Sequence, residues 1–181
     1  MGLFVPMSRE LETERLRLRP RSPSDSAMQR SLWAERDARS RRLISADGHP
    51  TVEEMRAMIT TQLAESEQMG LYLLNVERKG QPGFLGYCGL IVGEATAEEP
   101  EIAYEFFRSA QGYGYATEAV GAVIVAARDT GRTRLWATVR EWNTASFRVL
   151  DKNGFIDSGK RTRESDRGDL VWMTRDLSHG R

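Results

Sequence analysis

The sequence predicts a mixed α/β (α+β) fold: a largely antiparallel central sheet of about six to seven strands, flanked by helices. Three observations predict it. Segments whose apolar residues recur at every second position interleave with segments of helical spacing, and no internal repeat organises them. Two long apolar runs are joined by a short link containing Gly and Pro, which reads as a hairpin. The length of 181 residues suffices for one sizeable core, because area scaling buries about 70% of the unfolded surface at this size. It is also short enough for a single domain over residues 1–181.

The elements follow in order. Thr13 to Arg19 (TERLRLR) alternates Leu16 and Leu18 with arginines and reads as a half-buried strand closed by Pro20. Ser24 and Asp25 are N-cap residues for a helical region reaching about Leu43, after which Asp47 to Pro50 (DGHP) breaks the chain. Thr51 and Glu54 form a capping box, and Met55, Met58, Ile59, Gln62 and Leu63 trace one face of the helix it opens. Leu71 to Val76 and Phe84 to Val92 are the hairpin strands, linked by ERKGQPG. Beyond a loop from Gly93 to Pro100, Glu101 to Phe107 (EIAYEFF) alternates again: Ile102, Tyr104 and Phe106 share one face, Glu101, Ala103 and Glu105 the other. Ala116, Ala119, Val120, Val123, Ile124 and Ala127 then fall at helical spacing until Gly131. Leu135 to Val139 is a short strand. Asn143 caps a helix carrying Phe147 and Leu150 that ends at Asn153-Gly154, and two strands near Phe155 to Arg163 and Asp169 to Arg175 complete the sheet.

Composition narrows the function by exclusion. The 26 Lys and Arg balance 26 Asp and Glu, which argues against direct nucleic-acid binding and against an anionic membrane surface, both of which favour a basic excess. Cys88 has no partner, so a disulfide framework is excluded, and Cys88 in the apolar stretch LGYCGLIV reads as a small buried hydrophobe. His49 and His179 do not share a metal-ligand spacing, so no metal is expected. No apolar run approaches a membrane span, and the N-terminal apolar stretch is too short for a signal core. The expectation is a cytoplasmic protein.

Two segments carry chemistry. In Gln111-Gly112-Tyr113-Gly114-Tyr115-Ala116-Thr117, between a strand and a helix, the glycines permit close backbone approach, and the helix's first turn offers unpaired amides to a phosphate or pyrophosphate. Neither a P-loop nor a G-x-G-x-x-G fingerprint fits: no Gly-Lys-[Ser/Thr] closes the segment, and Thr117 occupies the last glycine position. The second segment, one strand further on, is Asn143-Thr-Ala-Ser146-Phe-Arg-Val-Leu150-Asp-Lys-Asn-Gly154-Phe155.

Together these resemble the GNAT family of acetyl-CoA-dependent N-acetyltransferases. Gln111, Gly114 and Ala116 match its Gln/Arg-x-x-Gly-x-Gly/Ala loop, and an N-x-x-S helix ending in Gly-Phe follows the next strand. LETERLRLRP and EIAYEFFRSAQGYGYATEA look like the RimJ/RimL-type subgroup, named for acetylation of ribosomal-protein N-termini. The resemblance extends from about Leu11 to Leu177. It implies a groove between two splayed central strands in which main chain near Phe106, Phe107 and Arg108 pairs with the pantetheine arm. It further implies that Gln111 to Thr117 clasp the pyrophosphate, that Asn143 bonds the pantetheine or the chain beside it, and that Ser146 lies by the sulfur. A homodimer is implied by the family alone. The sequence departs from the family at one point: many members carry a Tyr seven residues after that Asn, as proton donor to the leaving thiolate, where this chain has Leu150. Ser146 or water then stabilises the sulfur.

The implied reaction is direct acetyl transfer from acetyl-CoA to a primary amine, without a covalent acyl-enzyme. At pH 7 about 10–20% of an α-amine is uncharged, against roughly 0.04% of a Lys side chain, so an α-amine acceptor asks little of its base. Glu101 and Glu105, on one strand face, are the candidate bases. Glu94, Glu98, Glu99, Glu101 and Glu105 fall within a stretch free of Lys and Arg that is suited to a cationic acceptor. The acceptor expected first is a protein or peptide N-terminus. The alternatives are a small-molecule amine (a polyamine, antibiotic or metabolite) and, in another class, a catalytically silent CoA-binding module, for which Leu150 is the motive.

Overall fold

The computed structural model describes residues 4–37, 39, 50–81, 83–164 and 166–178. Among the described residues one sheet holds eight strands: β1 (Leu11–Glu12), β2 (Leu16–Pro20), β3 (Leu73–Arg78), β4 (Phe84–Ile91), β5 (Glu101–Phe106), β6 (Arg134–Arg140), β7 (Ile156–Thr162) and β8 (Leu170–Asp176). Their order is β1-β2-β3-β4-β5-β6-β8-β7, with β5 and β6 the parallel pair and every other pairing antiparallel. The helices are α1 (Ser26–Ala34), α2 (Val52–Met69), α3 (Tyr115–Asp129) and α4 (Thr144–Lys152). The mixed, largely antiparallel class is as expected. The extra strand is the two-residue β1, which pairs Leu11 with Leu18 across a tight turn and is too short to show a period.

The first helix corrects its expected extent. Ser22, not Ser24, opens the segment: its side chain accepts the Ser24 amide while Asp25 reaches back to the Ser22 amide, a capping box around Pro23 in a 3-10 turn. α1 then ends at Ala34 with a cap at Glu35. The weak apolar pattern beyond gives a longer helix no face to bury, and Glu35 and Arg36 turn instead to β5 and the segment after it. The end of the expected helix at Leu43 and the Asp47 to His49 part of the break lie outside the described residues, as does His179. The Thr51/Glu54 box opens α2 as expected, and Gly70 closes it in a left-handed conformation.

One apolar core lies between the sheet and α3, where Ala119, Val120, Val123 and Ala127 pack on Leu16, Leu18, Val76, Leu90 and Leu135. On the other face, under α1, a polar network is buried. Asp25 accepts both terminal nitrogens of Arg19 (2.9 and 3.0 Å), the Ser22 amide (2.8 Å) and Asn75 Nδ2 (2.8 Å), and Gln29 Nε2 donates to Asn75 Oδ1 (3.1 Å). Burial alone pushes the Asp25 carboxyl pKa up. The Arg19 bonds, the Ser22 amide and the charges of Arg19 and Arg21 outweigh it and hold that pKa below the ordinary value. Every donor in this network has an acceptor, so it locks α1 onto β2 and β3 without leaving an exposed polar end.

Candidate active site

The site begins where the sheet fails to close. β5 and β6 share one registered pair among the described residues, Glu101 with Trp136, supported by the Trp136 amide donating to the Pro100 carbonyl (2.9 Å). On its other side β5 pairs with β4 through Phe106 opposite Gly86, and the Phe107 amide donates to Leu85 (2.9 Å). Antiparallel alternation therefore directs the main-chain groups of the odd positions toward β4. Those of Ile102, Tyr104 and Phe106 face the opening gap toward β6.

The expected pantetheine partners divide on this geometry. Phe106 has its main chain on the gap side, where its carbonyl accepts Gln111 Nε2 (3.3 Å). The Phe107 amide belongs to the β4 ladder, and its carbonyl accepts the Ala110 amide. The Arg108 amide is held by the Glu35 carboxylate (2.8 Å), while its guanidinium reaches the Glu35 carbonyl (3.0 Å). Tyr104, read in sequence as part of an apolar face, takes the remaining position along the gap.

At the end of the gap, Gly112 and Gly114 take φ +83° and +80°, left-handed values that disfavour side chains, and turn the chain into α3. Gly112 is open: a Cβ built there meets nothing within 4 Å. Gly114 caps α3, and the first helical bond runs from the Glu118 amide to the Gly114 carbonyl (3.0 Å), so the amides of Tyr115, Ala116 and Thr117 have no acceptor within the helix. Tyr113 is exposed and stacks on the buried Tyr115, ring centroids 5.5 Å apart. The turn is braced from β2's approach. Arg15 donates to the Tyr113 carbonyl (3.0 Å) and to Glu118 (2.7 Å), and Glu118 also accepts the Arg15 amide (2.9 Å). No local signal announces this brace, because its partners are far apart in sequence.

Across the gap stands the N-terminal turn of α4. Asn143 caps it, its Oδ1 accepting the Ser146 amide (3.2 Å), so the capping role read from sequence holds in the structure. Ser146 is half-buried beside it, and the Tyr104 hydroxyl donates to the Ser146 carbonyl (3.1 Å). Leu150 is fully buried, packed in the core below α4.

The two glutamates of β5 part company. Glu101, 4% exposed, sits where β5 and β6 separate, accepting the Glu94 amide (2.6 Å) and the Thr138 hydroxyl (2.9 Å). Burial pushes its carboxyl pKa up against the pull of those two donors. Glu105 is bound by Arg36 (Nε, 2.7 Å) and by the Tyr87 hydroxyl (3.0 Å). In the acidic stretch Glu99 likewise meets Arg134 (3.4 Å) and the Trp136 indole (3.0 Å). Part of the negative field read from sequence is thus matched by arginines distant in the chain. Cys88 is fully buried, and burial raises its thiol pKa, so it is no nucleophile. Among the described residues no group of three or more His, Cys, Asp or Glu is placed to hold a metal ion, and no helix is long and apolar enough to cross a membrane.

An open parallel pair, a glycine turn with amides free of helical acceptors at one end and a capped helix across the gap are thus brought together at one place in the sheet. A sequence profile described as "Acetyltransferase (GNAT) domain" matches residues 15–156. The chain belongs to the GNAT acetyltransferase family, and it is an acyltransferase. No curated protein matches the chain. Solved structures share its fold. The ribosomal-protein-S5-alanine acetyltransferase from Vibrio fischeri superposes with TM-score 0.76 at 18% identity, covering 94% of this chain and 98% of that one. Microcin C7 self immunity acetyltransferase MccE, in complex with acetyl-CoA and AMP, gives TM-score 0.74 at 16% identity, covering 91% and 93%. A RimL ribosomal L7/L12 alpha-N-protein acetyltransferase in complex with coenzyme A gives 0.73 at 17%, covering 96% and 97%.

Proposed function

We propose that the protein transfers the acetyl group of acetyl-CoA directly to a primary amine, with a protein or peptide N-terminal α-amine as the acceptor class. The observation that carries this is the splay of β5 from β6, which ends at the free amides of α3. A pantetheine arm is flat, amide-bearing and extended, so it fits as a short strand beside Tyr104 and Phe106. The pyrophosphate fits the amides of Tyr115 to Thr117 behind the open Gly112. Gln111 steadies the strand end, Tyr113 and Gly114 shape the turn, and Asn143 and Ser146 stand at the thiol end.

In this reading Glu101 is the base. It is buried at the fork, its pKa is raised, and each of its oxygens keeps a lone pair beyond the bond it already accepts. Glu105, ion-paired with Arg36 and bonded by the Tyr87 hydroxyl, instead positions Arg36 and the end of α1. The amine nitrogen attacks the thioester carbonyl, its proton passes to Glu101 directly or through water, and the C–S bond breaks. An α-amine is favoured over a lysine because so much more of it is uncharged at neutral pH, and the S5-alanine and RimL likenesses fit that acceptor. The MccE likeness favours a small-molecule amine as the second reading. The reading extends to a cytoplasmic homodimer, which light scattering on the purified chain checks.

Incubation with acetyl-CoA and a panel of peptides with free N-termini, acetyl-blocked lysine peptides and small amines, following thiol release, tests the proposal. Turnover confined to free N-termini is expected. Turnover with small amines alone transfers the assignment to the second reading, and thiol release with none of them removes the transferase reading.

A further inference from the structure

The leaving sulfur needs a partner, and the helix does not supply the usual one. Position 150, where the resemblance leads one to look for a tyrosine, holds a leucine sealed in the core. A phenol nonetheless stands beside the gap. Tyr104 arises from β5, on the side of the sheet facing α3 and α4, and its hydroxyl crosses to the first turn of α4, 3.1 Å from the Ser146 carbonyl. That carbonyl already lies within a helix, where it is an acceptor for the amide four residues on. The phenol is therefore a second donor on an oxygen that does not need it, and rotation about its C–O bond redirects it. The two main-chain neighbours on the gap side, Ile102 and Phe106, place the same strand against the proposed pantetheine arm.

We propose that Tyr104 is a catalytic residue of the transfer, the hydrogen-bond donor that stabilises the CoA thiolate as it leaves, acting from the strand in place of a helix tyrosine. The inference rests on the transferase reading above. Tyr104 gives a hydrogen bond and not a proton. A phenol near its reference pKa of about 10 is a weaker acid than a thiol near about 8.5, so full transfer runs uphill. Burial raises the Tyr104 pKa further, against the pull of the Ser146 hydroxyl, and keeps the donor protonated throughout the working range. The bookkeeping of the step is closed: the C–N bond forms as the C–S bond breaks, the amine proton goes to Glu101, the electron pair stays on sulfur, and the thiolate takes its proton from solvent on release. Ser146, half-buried at the same turn, is the second donor.

The test reads the thiol of bound CoA, without any acceptor. Thiolate absorbance of the wild-type complex, followed against pH, is expected to give a thiol pKa below that of free CoA. In Tyr104→Phe it should rise by about one unit, a tenfold loss of thiolate stabilisation, the scale of one hydrogen bond to a charged group. CoA affinity at pH 6, where the thiol is protonated in both proteins, should change less than twofold. A thiol pKa equal in the two proteins overturns the proposal while leaving the transferase reading standing. Absence of CoA binding by the wild type overturns both. A second measurement needs no variant: in wild-type protein carrying 13Cζ-tyrosine, the Tyr104 resonance should move on binding CoA and stay near its free position with desulfo-CoA. Equal displacement by the two ligands overturns the proposal.

Discussion

Beneath α1, the Asp25 carboxylate takes the two terminal nitrogens of Arg19, the Ser22 amide and Asn75, and Arg19 turns its remaining edge to Glu77 (2.7 Å). At the start of α3, the amides of Tyr115 to Thr117 have no acceptor in their helix, and Gly112 faces open space. Both regions place polar groups at a helix N-terminus beside an arginine. In the first, every group is consumed internally, so the region can only hold the fold together. In the second, Arg15 and Glu118 satisfy each other and fix the shape of the turn while the amides are left for something outside the chain. Polar groups that are buried and paired hold the fold here, whereas those without an acceptor in their helix are the ones the proposed reading gives to the cofactor.

The sharpest way to break that contrast is to remove Asp25. Asp25→Ala leaves a partly buried Arg19 with Glu77 as its one remaining counter-charge and strands the Asn75 amide, an expected loss of about 3 kcal/mol in urea unfolding, with CoA affinity of the folded fraction unchanged. A matching loss of CoA affinity would show that the two regions are coupled. The same carboxylate sets a pH signature. Its pKa is lowered in the folded state, so its contribution is fully present above the unfolded value near about 3.9. That contribution is lost as pH falls through the folded value. Stability of wild type should therefore drop more steeply below pH ~4 than that of Asp25→Asn. Parallel curves would remove Asp25 from the account.

Next in size is a comparison of two glycines. Gly112 and Gly80 both have positive φ, +83° and +73°, and a Cβ on either meets nothing within 4 Å. Gly112→Ala and Gly80→Ala should each lose about 1–2 kcal/mol of stability from backbone strain. Only Gly112→Ala should also weaken CoA binding, by tenfold or more in a fluorescence titration, because its methyl group would occupy the open space proposed for the pyrophosphate. Equal CoA affinities would mean that the open space over Gly112 is not where the ligand lies.

The same distinction explains what could be read from residues alone. The strands of the hairpin, the capping box at Thr51 and the glycine turn into α3 rest on neighbours in sequence, and each lies within a residue or two of where the pattern put it. The groups that decide the chemistry rest on neighbours in space. Tyr104 reads as one more apolar position in EIAYEFF, and only the approach of α4 turns its hydroxyl into a feature. Glu101 and Glu105 occupy equivalent places in the alternation, yet one is buried at the fork and the other is bound by Arg36, which lies 69 residues away. α1 is short for the same reason: its end is set by what Glu35 and Arg36 reach on β5 and the turn after it, contacts that no periodicity records.

The smallest expected effect bears on a residue that belongs to both regimes. Asn143 is paired through Oδ1, which accepts the Ser146 amide as an N-cap, while Nδ2 is its remaining donor at the mouth of the gap. Asn143→Ala removes both functions and should cost about 1 kcal/mol, which by itself says nothing of a ligand. Asn143→Asp separates them: aspartate caps a helix as well as asparagine does, and its charge suits the helix N-terminus. Stability of the Asp variant should stay within about 0.5 kcal/mol of wild type. Its affinity for CoA should nevertheless fall several-fold, because a carboxylate cannot donate to the pantetheine and repels a developing thiolate. Loss in Asn143→Ala together with full CoA affinity in Asn143→Asp would confine Asn143 to capping, and would leave Ser146 and Tyr104 as the groups that meet the substrate on that side of the gap.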